Sequence, residues 1–365
     1  MNNFRVFKHG ETLTLLVVLL LVVIGVVFIY SSSYHPEKPD PGFWSRQIIW
    51  ASIGIFLCLV VWGIDYRHFV TGAYFIFGIN ILLLICVFIF GSKTSGAQRW
   101  LKLGFLKIQP SEFFKISMVL FLAKYYSGLP HYKKGYFNYI IVPFLFIGPA
   151  ILLIMKQPDL GTALVLVPLA FTMAYVAGAN PAHIFYTVLT GAACVIPGYF
   201  FLKPYQQDRI KVFLNPEFDP MGVGYQAIQS KIAVGSGGII GKGWLKGTQT
   251  QLNFLPERHT DFIYSVIGEE WGFIGAVLVI SLFLLVIYSA CRIAAESRDE
   301  VGRLIASGLA ALFLIHVFIN AGMAVGIMPI TGLPMPFLSY GGSSLLAMLV
   351  SIGLLQSIYS RRFMF

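Results

Sequence analysis

Apolar runs of about 17–25 residues recur along the whole of this 365-residue chain, and each is long enough to cross a bilayer as one helix. A backbone in lipid must satisfy its own hydrogen bonds, so such a sequence has few folds open to it beyond a helical bundle. By this criterion about ten spans are expected, at 12–30, 46–64, 69–90, 110–126, 138–155, 161–178, 183–201, 262–291, 304–327 and 340–359. The expected fold class is all-α, a polytopic membrane protein of about ten transmembrane helices. A single integral domain covers 1–365, with one large extracytoplasmic loop, 202–261, between helices 7 and 8. Only 12% of the residues are charged, about half the share usual in soluble domains.

The run at 12–30 follows Arg5 and Lys8, but it is longer than a signal-peptide core and Ser31-Ser32-Ser33 is a weak cleavage sequence. It reads as a retained helix. Cys58, Cys86, Cys194 and Cys291 lie in or beside apolar spans without metal-site spacing, and read as packing residues.

Lys and Arg in the short loops favour an inner face holding Arg5, Lys8, Lys133, Lys134, Arg361 and Arg362, so both termini are expected in the cytoplasm. The loop at 91–109 breaks that rule. It carries Lys93, Arg99, Lys102 and Lys107 with no acid, on the outer face. The long loop adds Lys203, Arg209, Lys211, Lys231, Lys242, Lys246 and Arg258 on the same side. Such a surface attracts anionic headgroups, or it serves an outward site for a polyanionic, lipid-linked substrate. Nothing in the sequence points to nucleic acid. Within the long loop, 205–214 and 224–234 read as short helices.

The stretch Leu255-Pro256-Glu257-Arg258-His259-Thr260-Asp261-Phe262-Ile263 places a carboxylate where that loop runs into an apolar span, a costly position for a charge without a partner or a task. Lys115 is the second costly charge, a cation near the start of an apolar run opened by Gln109-Pro110-Ser111-Glu112. Two readings of Lys115 stand: a local pair with Glu112 one turn earlier, or a pair across helices with Asp261, which would form a candidate catalytic couple. Glu257, His259 and Asp261 lack convincing metal-site spacing. Glu269 and Glu270 read as capping or loop-binding acids. Gly235 to Gly243 is not a P-loop, because Ser236 and Gly243 stand where that motif needs a glycine and a hydroxyl; it reads as a flexible turn.

The Leu255–Ile263 stretch, with Ile267-Gly268-Glu269-Glu270-Trp271-Gly272, resembles the signature of the SEDS family (shape, elongation, division and sporulation). Gln109-Pro110-Ser111-Glu112 with Lys115, Gln157-Pro158-Asp159-Leu160-Gly161, and Gly332-Leu333-Pro334 through Ser344 match the family's other blocks in order. Gly247-Thr248-Gln249-Thr250-Gln251-Leu252-Asn253 is similar to the elongation member rather than the division member.

The resemblance implies a peptidoglycan glycosyltransferase that polymerises lipid II into β-1,4-linked glycan at the outer face of the bacterial cytoplasmic membrane. It implies Asp261, Lys115 and Glu112 as catalytic residues. Arg99, Lys102, Arg209, Lys211, Arg258 and His259 are candidates for binding substrate, named from position. No cofactor is indicated with certainty; a divalent cation such as Mg at the pyrophosphate is a candidate. Expected partners are a class B penicillin-binding protein (the transpeptidase), other elongation-complex membrane proteins and lipid II itself. The alternative is a lipid II flippase. Transporters of that kind usually place ionisable groups near the midplane, whereas the charges here gather at the outer face.

Overall fold

A computed structural model describes residues 11–34, 41–94, 97–103, 106–130, 135–200 and 204–362. Arg5, Lys8, Lys38, Lys133, Lys134 and Lys203, which weigh in the expected orientation and surface charge, lie outside them. The chain runs α1 (Thr12–Ser33), α2 (Phe43–Gly63), α3 (Tyr66–Thr71), α4 (Ala73–Phe90), then strands β1 (Ser92–Thr94), β2 (Ala97–Leu103) and β3 (Leu106–Ile108), and α5 (Pro110–Ser127). A π-helical turn, Phe137–Ile141, leads into α6 (Val142–Lys156), followed by α7 (Leu160–Val176) and α8 (Pro181–Tyr199). The long loop holds α9 (Pro204–Leu214), a 3-10 turn (Pro216–Phe218), α10 (Val223–Ser236) and α11 (Thr248–Gln251). The chain closes with α12 (Ile263–Glu270), α13 (Gly272–Glu296), α14 (Glu300–Val325) and α15 (Gly342–Arg361).

Among the described residues seven helical segments are long and apolar enough to cross a membrane: α1, α2, α4, Phe137–Lys156, α13, α14 and α15. α7 is apolar but shorter. α5 and α8 occupy two more of the positions expected from the sequence. α5 is the least lipid-like. It buries Ser111, Glu112, Lys115 and Ser117 and packs against α4, α7, α14 and α15, so protein rather than lipid surrounds its polar groups.

Three features differ from expectation. The structure is not purely helical, because the 91–109 loop is a three-stranded antiparallel sheet in the order β1-β2-β3. Only Leu101-Lys102-Leu103 alternates apolar and polar residues, too short a run to mark a strand in the sequence. The expected span at 262–291 is two helices, broken at Trp271, where Gly272 adopts φ +65° and a β-carbon would strike Gly241 N. The 235–243 turn causes that break and is firmly packed: Lys242 N and Gly243 N donate to Glu269 O and Glu270 O, while Phe273 N and Ile274 N donate to Gly238 O and Ile239 O.

The expected loop helices are present as α9 and α10, and Asn215 Oδ1 accepts from Glu217 N just beyond α9. Ser230 on α10 bonds Ser265 of α12 at 2.7 Å and donates to Ala324 O of α14 at 2.8 Å. The long loop is thereby pinned to the helices that carry the site.

Candidate active site

Asp261 closes a run of turns after α11, anchored on either side by the buried Leu255 and Phe262. Its own N–H donates to Glu257 O, 3.1 Å away. The segment is stitched to the loop preceding α15: Ser339 Oγ donates to Thr260 O at 2.6 Å and Tyr340 N to His259 O at 2.9 Å. On the remaining side Asn320 of α14 donates from Nδ2 to Asp261 O at 2.9 Å and to Leu333 O at 2.7 Å. These bonds immobilise the main chain and leave the carboxylate out. Among the described residues no ion pair reaches the Asp261 side chain.

The surroundings set its proton affinity. Burial, helped by the negative charge of Glu257, pushes the Asp261 carboxyl up to about 7; Arg99 and Arg209 pull the other way, and Asp159 adds a further upward push. Gly332 makes room for the group, since a β-carbon there would lie 3.3 Å from Asp261 Oδ2. Gly332 also sits at φ +71°, a conformation that glycine adopts without cost.

Two sequence blocks far apart in the chain meet beside it. Asp159 caps α7, accepting from Thr162 N at 3.3 Å and Thr162 Oγ1 at 2.9 Å. It also accepts from Gln109 Nε2 at 3.2 Å and from Ser111 Oγ at 3.3 Å, at the start of α5. Arg99 on β2 reaches the same corner, with Nη1 3.8 Å from Asp159 Oδ1 and bonds to the carbonyls of Gln157 and Pro158. Gly161 lets the loop beyond α14 close over it, a β-carbon there coming 2.7 Å from Thr331 O. Arg209 of α9 donates to Ile330 O of that loop at 3.0 Å.

Lys115 takes the local partner. Its Nζ lies 2.8 Å from Glu112 Oε1 and 3.0 Å from His316 Nε2, and all three side chains are buried. The pair with Asp261 is not formed; Glu112, one turn away on the same helix, is the nearer acid. With Lys115 donating to Nε2, the ring carries its proton on Nδ1, which faces Pro334 O at 3.4 Å. Lys115 is thus connected to the Asp261 pocket through His316 and the 331–334 loop.

Of the residues expected to bind substrate, Arg99 and Arg209 act on Asp261. Lys102 is exposed on β2, opposite Lys107 of β3. Lys211 pairs with Asp208 at 3.5 Å and lies over the Phe218 ring. Arg258 donates to Ser32 O in the last turn of α1, where a cation complements the helix dipole. His259 stacks on Phe43 with ring centroids 4.5 Å apart, and burial lowers its pKa, so its ring is neutral at pH 7. The sequence reading missed the roles of Asp159, His316, Asn320 and Gly332. Asp159 was visible as the acid of the Gln157–Gly161 block, and His316 and Asn320 as isolated polar residues in an apolar span.

This arrangement has known relatives. A family model named FTSW_RODA_SPOVE, described as a cell cycle protein, matches residues 11–362. The chain belongs to the FtsW/RodA/SpoVE family. It is 38% identical over 357 residues to the peptidoglycan glycosyltransferase MrdB of Escherichia coli (strain K12), covering 97% of this chain and 94% of that one. It is 36% identical over 435 residues to the peptidoglycan glycosyltransferase RodA of Treponema pallidum (strain Nichols), with 99% and 100% covered. A solved structure described as "Structural coordination of polymerization and crosslinking by a peptidoglycan synthase complex" superposes with a TM-score of 0.83 at 35% identity, over 97% of this chain and 98% of that one.

Proposed function

We propose that this member of the FtsW/RodA/SpoVE family is a peptidoglycan glycosyltransferase that polymerises lipid II, with Asp261 as its general base. One observation carries the reading: a half-buried carboxylate held by its main chain, with no side-chain ion pair among the described residues, under the charges of Arg99 and Arg209 and with its pKa pushed up to about 7 by burial and Glu257. A base is most useful when its pKa lies near the working pH, and an ordinary Asp near 3.9 is a weak one.

In the proposed step the 4-hydroxyl of the acceptor GlcNAc gives its proton to Asp261 as its oxygen attacks C1 of the donor MurNAc. The bond from C1 to the pyrophosphate oxygen breaks on the opposite face, giving a β-1,4 bond with inversion. Undecaprenyl pyrophosphate leaves as an anion, and the Arg99 and Arg209 guanidinium groups stabilise that developing charge. A good leaving group removes the need for the second carboxyl that glycosidases use.

We place this chemistry at the outer face of the cytoplasmic membrane, with about ten spans, both termini inside and 202–261 as the large outer loop. The Lys and Arg of the other short loops support that orientation, and the basic sheet and long loop suit an anionic substrate. Cell elongation is the setting, with a class B penicillin-binding protein as transpeptidase partner and other membrane proteins of the elongation complex. Support comes from the solved synthase complex whose description couples polymerization with crosslinking. Among the described residues no three His, Cys, Asp or Glu side chains converge as a metal site. A divalent cation such as Mg at the substrate's pyrophosphate needs only one or two carboxylates beside it.

The test is polymerisation from purified lipid II in proteoliposomes. Asp261→Asn should bind the transpeptidase and make no glycan strand, and strand formation at the wild-type rate would sink the assignment. Lipid II translocation followed separately distinguishes the flippase alternative.

A further inference from the structure

We infer that Asn320 is a positioning residue for this reaction: its amide fixes the two stretches of main chain between which the Asp261 carboxylate stands. The inference rests on the reading of Asp261 as the base.

Asn320 is fully buried on α14, one turn beyond His316. Both Nδ2 hydrogens go to main-chain carbonyls, Asp261 O and Leu333 O. The first belongs to the base itself. The second follows Gly332, whose α-carbon faces Asp261 Oδ2. One side chain therefore sets the gap between the carboxyl and the loop opposite it. His316 works on the same loop from the same helix face, its Nδ1 directed at the next carbonyl, Pro334 O. Consecutive carbonyls are thus held by side chains four residues apart, and the second of these also carries Lys115.

The amide is an unfavourable choice if its role were only to fill space. Burying an amide carries a desolvation cost that its bonds must offset, and Asn320 Oδ1 accepts from no described protein group. An aliphatic side chain would fill the same place in α14 without that cost. The two donor bonds are what the asparagine adds, and both act on the Asp261 pocket. The charged groups acting on Asp261 are Glu257, Arg99, Arg209 and Asp159; none of them makes these bonds.

The experiment compares full-length wild type, Asn320→Leu, Asn320→Ala and Asp261→Asn in proteoliposomes supplied with lipid II. Leu keeps the branched shape and Ala favours the helix, so at least one folded variant is expected, checked by thermal unfolding. Loss of the tether should lower kcat by about 100-fold, the effect of misplacing a reacting group by about 1 Å, with little change in KM. The pH midpoint of the rate should also move downward, because a loosened carboxyl regains water. A folded variant with wild-type kcat overturns the inference, and so does a lowered kcat with an unmoved midpoint. Failure of both variants to fold would make Asn320 a folding determinant and equally overturn it. Activity in Asp261→Asn, by contrast, would overturn the base assignment itself.

Discussion

Asp261 and Glu269 lie eight residues apart and are handled in opposite ways. Glu269 is fully buried and saturated: its carboxylate accepts from Lys242 Nζ, Gln249 N, Thr250 N, Thr250 Oγ1 and Thr248 Oγ1 at 2.8–3.3 Å. Those bonds satisfy the open N–H groups at the start of α11 and tie the 242–250 segment to α12. Asp261 is less buried, yet its side chain is left without comparable donors, and only its backbone is secured. A saturated carboxylate is stabilised as an anion and has little proton affinity left. A half-buried one without such donors keeps its affinity and, on the proposed reading, can take a proton from a substrate. On that reading, the difference separates an acid that ties the 242–250 segment to α12 from one left available as a base.

The sharpest way to break this comparison is to remove each charge in turn. Asp261→Asn should lower polymerisation by roughly 10³-fold or more, towards the upper range for a lost general base, while the thermal midpoint holds or rises. The rise should be larger at pH 8 than at pH 5. A carboxyl whose folded pKa is raised binds its proton more tightly when folded, so it costs stability as pH climbs from about 4 to about 7. Glu269→Ala should do the reverse in kind: several buried donors lose their acceptor at roughly 1–3 kcal/mol each, seen as a large drop in thermal midpoint. If Glu269→Ala leaves stability unchanged, its supposed structural role fails.

A second perturbation probes the Lys115 connection. Lys115→Ala strips Glu112 and His316 of their shared partner in a buried site, where breaking an ion pair costs about 3–5 kcal/mol. Lys115→Met with Glu112→Gln, which removes both charges together, should recover much of the stability but little of the polymerisation. Recovery of full activity in the double variant would reduce the pair to packing.

Much of this was legible in the sequence. Apolar runs placed the helices because length and hydropathy dominate in lipid, and the Leu255–Ile263 stretch singled out Asp261 through one misplaced charge. The sheet at 92–108 was hidden because its strands are short and strongly basic. The break at Trp271 was hidden as well, since Glu269 and Glu270 read as acids within one span and only packing against Gly241 shows the kink. The partner of Lys115 could not be decided by depth alone. His316, far along the chain, supplies the third member, and no local spacing announces it. Arg258 and His259 adjoin Asp261 in sequence but turn towards Ser32 and Phe43, because successive residues in a tight turn point in different directions.

The smallest expected effect is electrostatic fine-tuning. Arg209→Gln removes a cation that lowers the Asp261 pKa, so the pH midpoint of polymerisation should rise by a fraction of a unit, with a further loss of rate from the leaving-group side. An unmoved midpoint would place Arg209 outside the Asp261 pocket.

The most direct test of Asp261 as a base tuned by its pocket is the pH dependence of wild-type polymerisation from lipid II in proteoliposomes at substrate well below KM, where the rate follows kcat/KM and reports the free enzyme. The rate should rise with pH and reach half its plateau near the value of about 7 set by burial and Glu257. A rate independent of pH down to 5, or a midpoint near the ordinary 3.9 of a solvated aspartate, would contradict it.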